Sequence, residues 1–338
     1  MKKGEKTVVK GLSGCGVTED ADTVAVDVKD GKIIRIRPLH FDWQYDRKPW
    51  KMEARGSVFE ASNKTLIPPW SLGYKNRVNS PNRVFYPLKR VDWDPHGERN
   101  PQNRGKSKYE RISWDEAIDI IADEIKRISK EHGPTAILAQ ADGHGETKVI
   151  HAAHGCSRRL LRLIGGYTLQ TRNPDSWEGW YWGAKHVWGC EPVGKQSYQS
   201  NLVPDIAENS GMLLFWGCDP EVTPWGWGGQ TVSQLCYWFK DLDIKQVYVC
   251  PDVNYGAAVH GDKWIPIKPG TDAALHLAIA YLWITQDLYD KAYVATHAVG
   301  FDKFEAYVLG QTDGVAKTPT WASEKTGVPS RIIKALAK

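Results

Sequence analysis

The sequence is poor in the patterns that usually announce a cofactor. Its six cysteines stand at positions 15, 156, 190, 218, 236 and 250, and no two form a C-x-x-C pair. That spacing gives neither a zinc site nor a ferredoxin-type cluster, and thiols scattered this way are most often buried in a reducing compartment. There is no G-x-G-x-x-G fingerprint and no Walker A sequence, which disfavours an ordinary NAD or FAD site and a P-loop. No long apolar run follows the basic start Met1-Lys2-Lys3-Gly4-Glu5-Lys6, and no twin-arginine pair lies near it. The expectation is a cytoplasmic chain with no signal peptide and no membrane span. A net charge of +4 is small for 338 residues. It gives no concentrated basic face for nucleic acid but is compatible with anionic small molecules.

What is abundant is tryptophan, with 16 residues. Trp177, Trp180, Trp182 and Trp188 follow directly on Asn173-Pro174-Asp175-Ser176. Pro174 fixes its own φ and pushes Asn173 toward an extended conformation, so a turn is predicted there. Asp175 and Ser176 are both good helix N-cap residues. Two readings stand: a capped helix start whose tryptophans fill a core, or a carboxylate and a hydroxyl lining a pocket for a flat polar ligand.

Along the chain, Val24, Val26 and Val28 alternate, Asp30-Gly31 supplies a turn, and Ile34 and Ile36 alternate again. This predicts a β-hairpin over 24–36. Residues 39–110 read as a long irregular segment. Arg77, Arg83, Lys89, Arg90, Arg99 and Arg104 within it can meet phosphates or simply face solvent. Ser113-Trp114-Asp115-Glu116 is a capping box, and Ile118, Ile121, Ile125 and Ile128 form the stripe of the helix it opens. Gly133-Pro134 stops that helix, and Ala136-Ile137-Leu138-Ala139 reads as a short buried strand. The loop after it carries Asp142-Gly143-His144-Gly145, where His144 is either a functional or a surface histidine.

A second helix is predicted over roughly 148–164. Met212-Leu213-Leu214-Phe215-Trp216 reads as a strand buried on both faces. A helix near 228–240, the strand Gln246-Val247-Tyr248-Val249-Cys250 and another strand at 264–268 follow. Polar turns close these strands: Gly217-Cys218-Asp219-Pro220-Glu221, Asp252 to Asn254, and Gly270-Thr271-Asp272. An acidic residue after a strand can bind ribose hydroxyls or a purine edge, and Gly270-Thr271-Asp272 at a helix start can offer amides to a pyrophosphate. The alternative is a Rossmann-like domain whose polar turns hold no nucleotide.

These pieces together resemble the bis-molybdopterin guanine dinucleotide oxidoreductases, the dimethyl sulfoxide reductase family, and within it the branch of pyrogallol–phloroglucinol transhydroxylase large subunits. The likeness is carried by Val28 to Arg35, Asp94 to Gln102, Tyr109 to Ala117, Asn173 to Trp180, Phe215-Trp216 with Asp219-Pro220-Glu221, and Gly270-Thr271-Asp272 with Ala278 to Tyr281. The run from Asn173 to Trp180 is the most specific to that branch.

The resemblance implies an α/β fold: an N-terminal β-rich region over 1–72, the first part of a discontinuous α/β cofactor domain over 73–142, and a Rossmann-like cofactor-binding domain over 143–338. It further implies that the chain is an N-terminal piece, with the C-terminal part of the fold missing. The implied cofactor is molybdenum (or tungsten) on two molybdopterin guanine dinucleotides, with no iron–sulfur cluster on this chain. Ser176 is then the protein ligand of the metal, and His144 and Asp175 are the acid–base groups. Trp216, Gly217, Asp219, Pro220, Asp252, Gly270, Thr271 and Asp272 hold the cofactor. The implied partners are a phenolic substrate and an iron–sulfur small subunit, and the implied reaction is hydroxyl transfer between polyphenols. Reductive dehydroxylation of a catechol-like substrate, another molybdenum reductase, or an inactive nucleotide-binding scaffold are the alternatives. The chain departs from the pattern at Gly145, where the branch has a second histidine, and broadly over 141–150 and 189–205.

Overall fold

The computed structural model describes residues 4–12, 22–41, 46, 48–67, 69–140, 153–170, 178–189, 202–222 and 231–338. Its strands are β1 (Glu5–Leu12), β2 (Asp22–Lys29), β3 (Lys32–Pro38), β4 (Lys51–Ala54), β5 (Ser57–Glu60), β6 (Leu88–Arg90), β7 (Tyr109–Arg111), β8 (Leu138–Ala139), β9 (Thr168–Leu169), β10 (Met212–Trp216), β11 (Lys245–Cys250) and β12 (Lys263–Pro266). Its helices are α1 (Pro69–Val78), α2 (Trp114–His132), α3 (Ala153–Leu163), α4 (Glu178–Trp188), α5 (Leu202–Asn209), α6 (Thr231–Asp241), α7 (Tyr255–His260), α8 (Asp272–Thr285), α9 (Lys291–His297), α10 (Phe301–Val308), α11 (Pro319–Thr326) and α12 (Ser330–Leu336). The described residues fall into two compact units, one from 4–46 and 63–189, the other from 48–62, 202–222 and 231–338.

In the first unit β1, β2 and β3 form an antiparallel meander. The predicted hairpin is β2–β3, turning at Asp30 and Gly31, both at positive φ (50° and 76°). That is the backbone twist a two-residue hairpin turn needs. Asp27 is buried on β2. It accepts bonds from the guanidinium groups of Arg35 and Arg37 and from the Thr7 hydroxyl. The bond from Arg37 is the main reason its carboxyl lies well below the usual carboxylate range.

Helix α2 begins as the capping box predicts, with the Ser113 hydroxyl accepting from the Glu116 amide at 3.0 Å, a cap that contributes about 1 kcal/mol. Its stripe is less covered than expected: Ile118 and Ile121 are exposed among the described residues, and Ile125 and Ile128 half-buried. On the same helix Glu124 takes both the Arg99 and the Arg127 guanidinium groups. Those bonds, Arg99 first, hold its carboxyl down to about 2. The strand expected over 136–139 is shorter. Pro134–Ala136 is a single 3-10 turn with Pro134 at its first position, leaving Leu138–Ala139 to pair in parallel with β9 beyond α3.

The segment 39–110 is less irregular than its sequence reads. In the second unit β4 and β5 form a hairpin. Its turn is Arg55-Gly56, with φ of 49° and 76°. Positive φ is uncommon for arginine, and here hydrogen bonds hold it. The Arg55 amide donates to the Glu208 carboxylate, and its guanidinium donates to the carbonyl oxygens of Glu208, Ser210 and Leu242. Those carbonyls include the end of α5, which has no intrahelical donor left for them.

The body of the second unit is a parallel sheet in the order β10–β11–β12. Successive β11 residues enter different clusters. Val249 packs with Ile265, Leu275, Ala278 and Ile279, while Tyr248 packs with Cys250, Ala257 and the stacked Phe215 ring. β11 is therefore covered on both faces, as the period-2 geometry of a central parallel strand requires. β10 is not. Met212 and Leu214 are exposed, because β10 lies at the edge of this sheet among the described residues. Of the thiols, Cys236 and Cys250 are buried and Cys156 and Cys218 exposed. Burial pushes the Cys236 thiol up to about 12. No described helix is long and apolar enough to cross a membrane.

Candidate cofactor edge of the parallel sheet

Because β10, β11 and β12 run in parallel, their carboxyl ends share one edge, and the three polar turns leave the sheet there. Gly217 turns the chain at φ 59° and donates its amide to the Val249 carbonyl. The Asp219 carboxylate then organises two loops at once. One oxygen accepts the amides of Glu221, Val222 and Gly256, and the other accepts the Tyr255 amide. Asn254 caps α7 by accepting from the Ala257 amide and donates its side-chain amide to the Cys218 carbonyl. Gly256 is required by contact: a Cβ there would lie 2.6 Å from Pro220 Cδ and 2.9 Å from Tyr248 Cε1.

Behind this loop Glu221 is buried against α6 and α7. Its Oε1 accepts the Ser233 hydroxyl at 2.7 Å and meets His260 Nε2 at 2.5 Å. Burial opposes its charge, but the bonds from His260 and Ser233 outweigh burial and hold the carboxyl below its ordinary value. At the third turn Gly270 has φ 74°, and the Thr271 hydroxyl donates to the Lys268 carbonyl. The amides of Thr271, Asp272 and Ala273 find no acceptor among the described residues. They open the 14-residue helix α8, whose N-terminus carries partial positive charge. Asp272 accepts the Trp216 indole N–H at 2.7 Å, and the Trp216 ring stacks on His276 with centroids 3.9 Å apart. Burial holds the His276 imidazole below its ordinary value.

Trp216, Gly217, Asp219, Pro220, Asp252, Gly270, Thr271 and Asp272 thus converge on one edge. Their carboxylates differ in availability. Asp219 and Asp272 are engaged by the protein's own donors, whereas Asp252 is exposed and its carboxylate meets no partner among the described residues. His144, Asp175 and Ser176 lie outside the described residues, and α4 starts two positions after Ser176. The sequence places Asn254 and Glu221 in polar turns without their contacts, and does not single out Gly256, His276, Ser233 or His260. Asn254 before an apolar helix is an N-cap signal, and Asp272 and His276 stand one helical turn apart; the other contacts join residues far apart in sequence.

The first unit holds a separate cleft of about 980 Å³, lined by Phe85, Tyr86, Trp93, Tyr109 and Trp114 among others. Among the described residues its lining includes no carboxylate, histidine or thiol. Most of the cations considered for phosphate are engaged nearby. Lys89 pairs with Glu110 and Glu116, Arg99 with Glu124, and Arg90 and Arg83 donate to carbonyl oxygens.

Residues 83–333 match the molybdopterin oxidoreductase family, and residues 22–77 match the family described as pyrogallol hydroxytransferase large subunit-like, domain 1. Over 93% of its length the chain is 44% identical to the pyrogallol hydroxytransferase large subunit of Pelobacter acidigallici, of which it covers 37%. It is 34% identical to dimethyl sulfoxide reductase DmsA of Escherichia coli (strain K12), over 78% of this chain and 32% of that one. It is 30% identical to the dimethyl sulfoxide/trimethylamine N-oxide reductase of Rhodobacter capsulatus, over 83% and 35%. The solved structure of acetylene hydratase from Pelobacter acetylenicus matches 97% of this chain and 38% of its own, at 23% identity and a TM-score of 0.48. The chain spans about a third of the length of the curated relatives it matches.

Proposed function

The chain belongs to the molybdopterin oxidoreductase family, and from that premise we propose that its gene product transfers a hydroxyl group between polyhydroxylated benzenes, of the pyrogallol-to-phloroglucinol type. The observation that carries the cofactor assignment is the edge of the parallel sheet. A Cβ built on Gly217 or Gly270 meets nothing within 4 Å among the described residues, which leaves room there for a ligand to approach the backbone. The amides at 271–273, without an acceptor among the described residues, suit a pyrophosphate, and the exposed Asp252 carboxylate suits the donors of a guanine or ribose. Trp216 supplies a flat wall. The donor set fits a pterin dinucleotide. Ser176 supplies a hard oxygen donor suited to a high-valent metal. When bound, molybdenum (or tungsten) on two molybdopterin guanine dinucleotides supplies two-electron redox chemistry.

The chain's own residues handle protons. His144 and Asp175 exchange them with the phenolic hydroxyl groups, since both side chains can gain and lose a proton when set beside a phenol. The substrate class is supported by the pyrogallol hydroxytransferase relative, whose name also makes it a large subunit. The present chain accordingly pairs with an iron–sulfur small subunit and carries no cluster itself, in the cytoplasm. Gly145 and the divergent stretches 141–150 and 189–205 favour one second reading, reductive dehydroxylation of a catechol-like substrate.

Product analysis separates the two. Transhydroxylation is redox-neutral overall, so pyrogallol should be converted with no added electron donor. A strict requirement for a donor, with loss of hydroxyl from the product pool, would replace this reading with the reductive one.

A further inference from the structure

We propose that Glu221 and His260 are positioning residues for the dinucleotide, holding the Asp219–Pro220 loop in its binding shape from behind; this rests on the reading of the sheet edge as the cofactor site. The Gly217–Val222 loop has one set of contacts on the open side and another on the buried side. On the open side Asp219 gathers four backbone amides. On the buried side Glu221 is the loop's link to two different helices, to Ser233 in the first turn of α6 and to His260 at the last position of α7. His260 is itself fixed on two other sides. The Tyr237 ring meets it edge-on at 4.5 Å, and Lys240 donates to its carbonyl oxygen.

All three polar side chains are buried. Burying them costs free energy unless they are hydrogen-bonded to one another. An apolar residue at position 221 would give neither helix a reason to hold the loop. The Ser233 and His260 bonds converge on one oxygen, so the loop cannot slide along either helix without breaking one of them. Pro220 beside Glu221 is wedged against Gly256. The direction of the Asp219 carboxylate and of the Gly217 turn therefore follows from where Glu221 is pinned.

The test purifies the full-length gene product as wild type, Glu221→Ala, Glu221→Gln and Ser233→Ala. For each it measures pterin dinucleotide per chain, as fluorescent oxidation product and released guanine nucleotide, together with Tm. Glu221→Ala is expected to lose about tenfold in dinucleotide content, the scale on which supporting contacts act at bound centres. Glu221→Gln keeps an acceptor oxygen for both partners and is expected to restore most of it at a similar Tm. If Glu221→Ala does not fold, Ser233→Ala decides, with a smaller loss expected. Wild-type content in Glu221→Ala, wild-type content in Ser233→Ala, or no rescue by Glu221→Gln would overturn the proposal. A wild type devoid of pterin would instead overturn the cofactor assignment beneath it.

Discussion

Asp175→Asn and His144→Phe are each expected to lower turnover of the full-length gene product by about 10²–10⁴-fold, the usual share of a general acid–base group, while leaving its metal content unchanged. Moving a hydroxyl group between phenols requires a proton to leave one oxygen and another to arrive elsewhere. Asn keeps the shape of Asp and one acceptor oxygen but cannot exchange a proton at working pH. Phe keeps the ring plane of His and loses both nitrogens. Ser176→Ala is expected to act differently. It removes an oxygen donor and should change the molybdenum EPR signal, because the ligand field depends on the donor set. The contrast carries the argument: a proton carrier alters rate, a ligand alters the spectrum. Normal turnover in His144→Phe, or an unchanged signal in Ser176→Ala, would show that these roles belong to other residues.

Asp219→Ala is expected to disorganise two loops together. The carboxylate takes four amides, from Glu221, Val222, Tyr255 and Gly256. An amide left without an acceptor away from water costs about 1–3 kcal/mol, and some of the four can turn to solvent, so a loss of about 2–4 kcal/mol is expected on that scale. Hydrogen exchange at those amides should accelerate, and pterin dinucleotide content should fall. Asp219→Asn should lie between. It can keep one oxygen for three amides, but it sets its own N–H₂ against the Tyr255 N–H. Unchanged exchange in Asp219→Ala would mean that the turn is held by Pro220 packing rather than by the carboxylate.

Legibility in the sequence followed the range of the interactions. The family and the α/β fold with a parallel sheet were readable, because strand alternation, the Ser113 cap and the βα repeats are local patterns. The β4–β5 hairpin was not, since its strands have four residues each and its Arg55-Gly56 turn is held by carbonyl oxygens more than 150 positions away. The expected double burial of β10 failed on sheet order, which an apolar run does not encode. At the candidate site, the seven residues of the three strand-end turns were visible as polar punctuation, and Trp216, the last residue of β10, through the family resemblance. That Asp219 and Asp272 serve the protein's own donors, while Asp252 meets none among the described residues, was not, because Tyr255, Gly256 and Trp216 lie 36 to 56 positions from the carboxylates they bond and only the Glu221 and Val222 amides are local to Asp219.

The most direct measurement is the metal and pterin content of the purified full-length gene product. Molybdenum (or tungsten), with two pterin dinucleotides per metal and guanine nucleotide released on acid hydrolysis, is the result predicted by family membership together with the three turns at the sheet edge and Ser176. A bound nicotinamide or flavin, with no pterin recovered after oxidation, would contradict it.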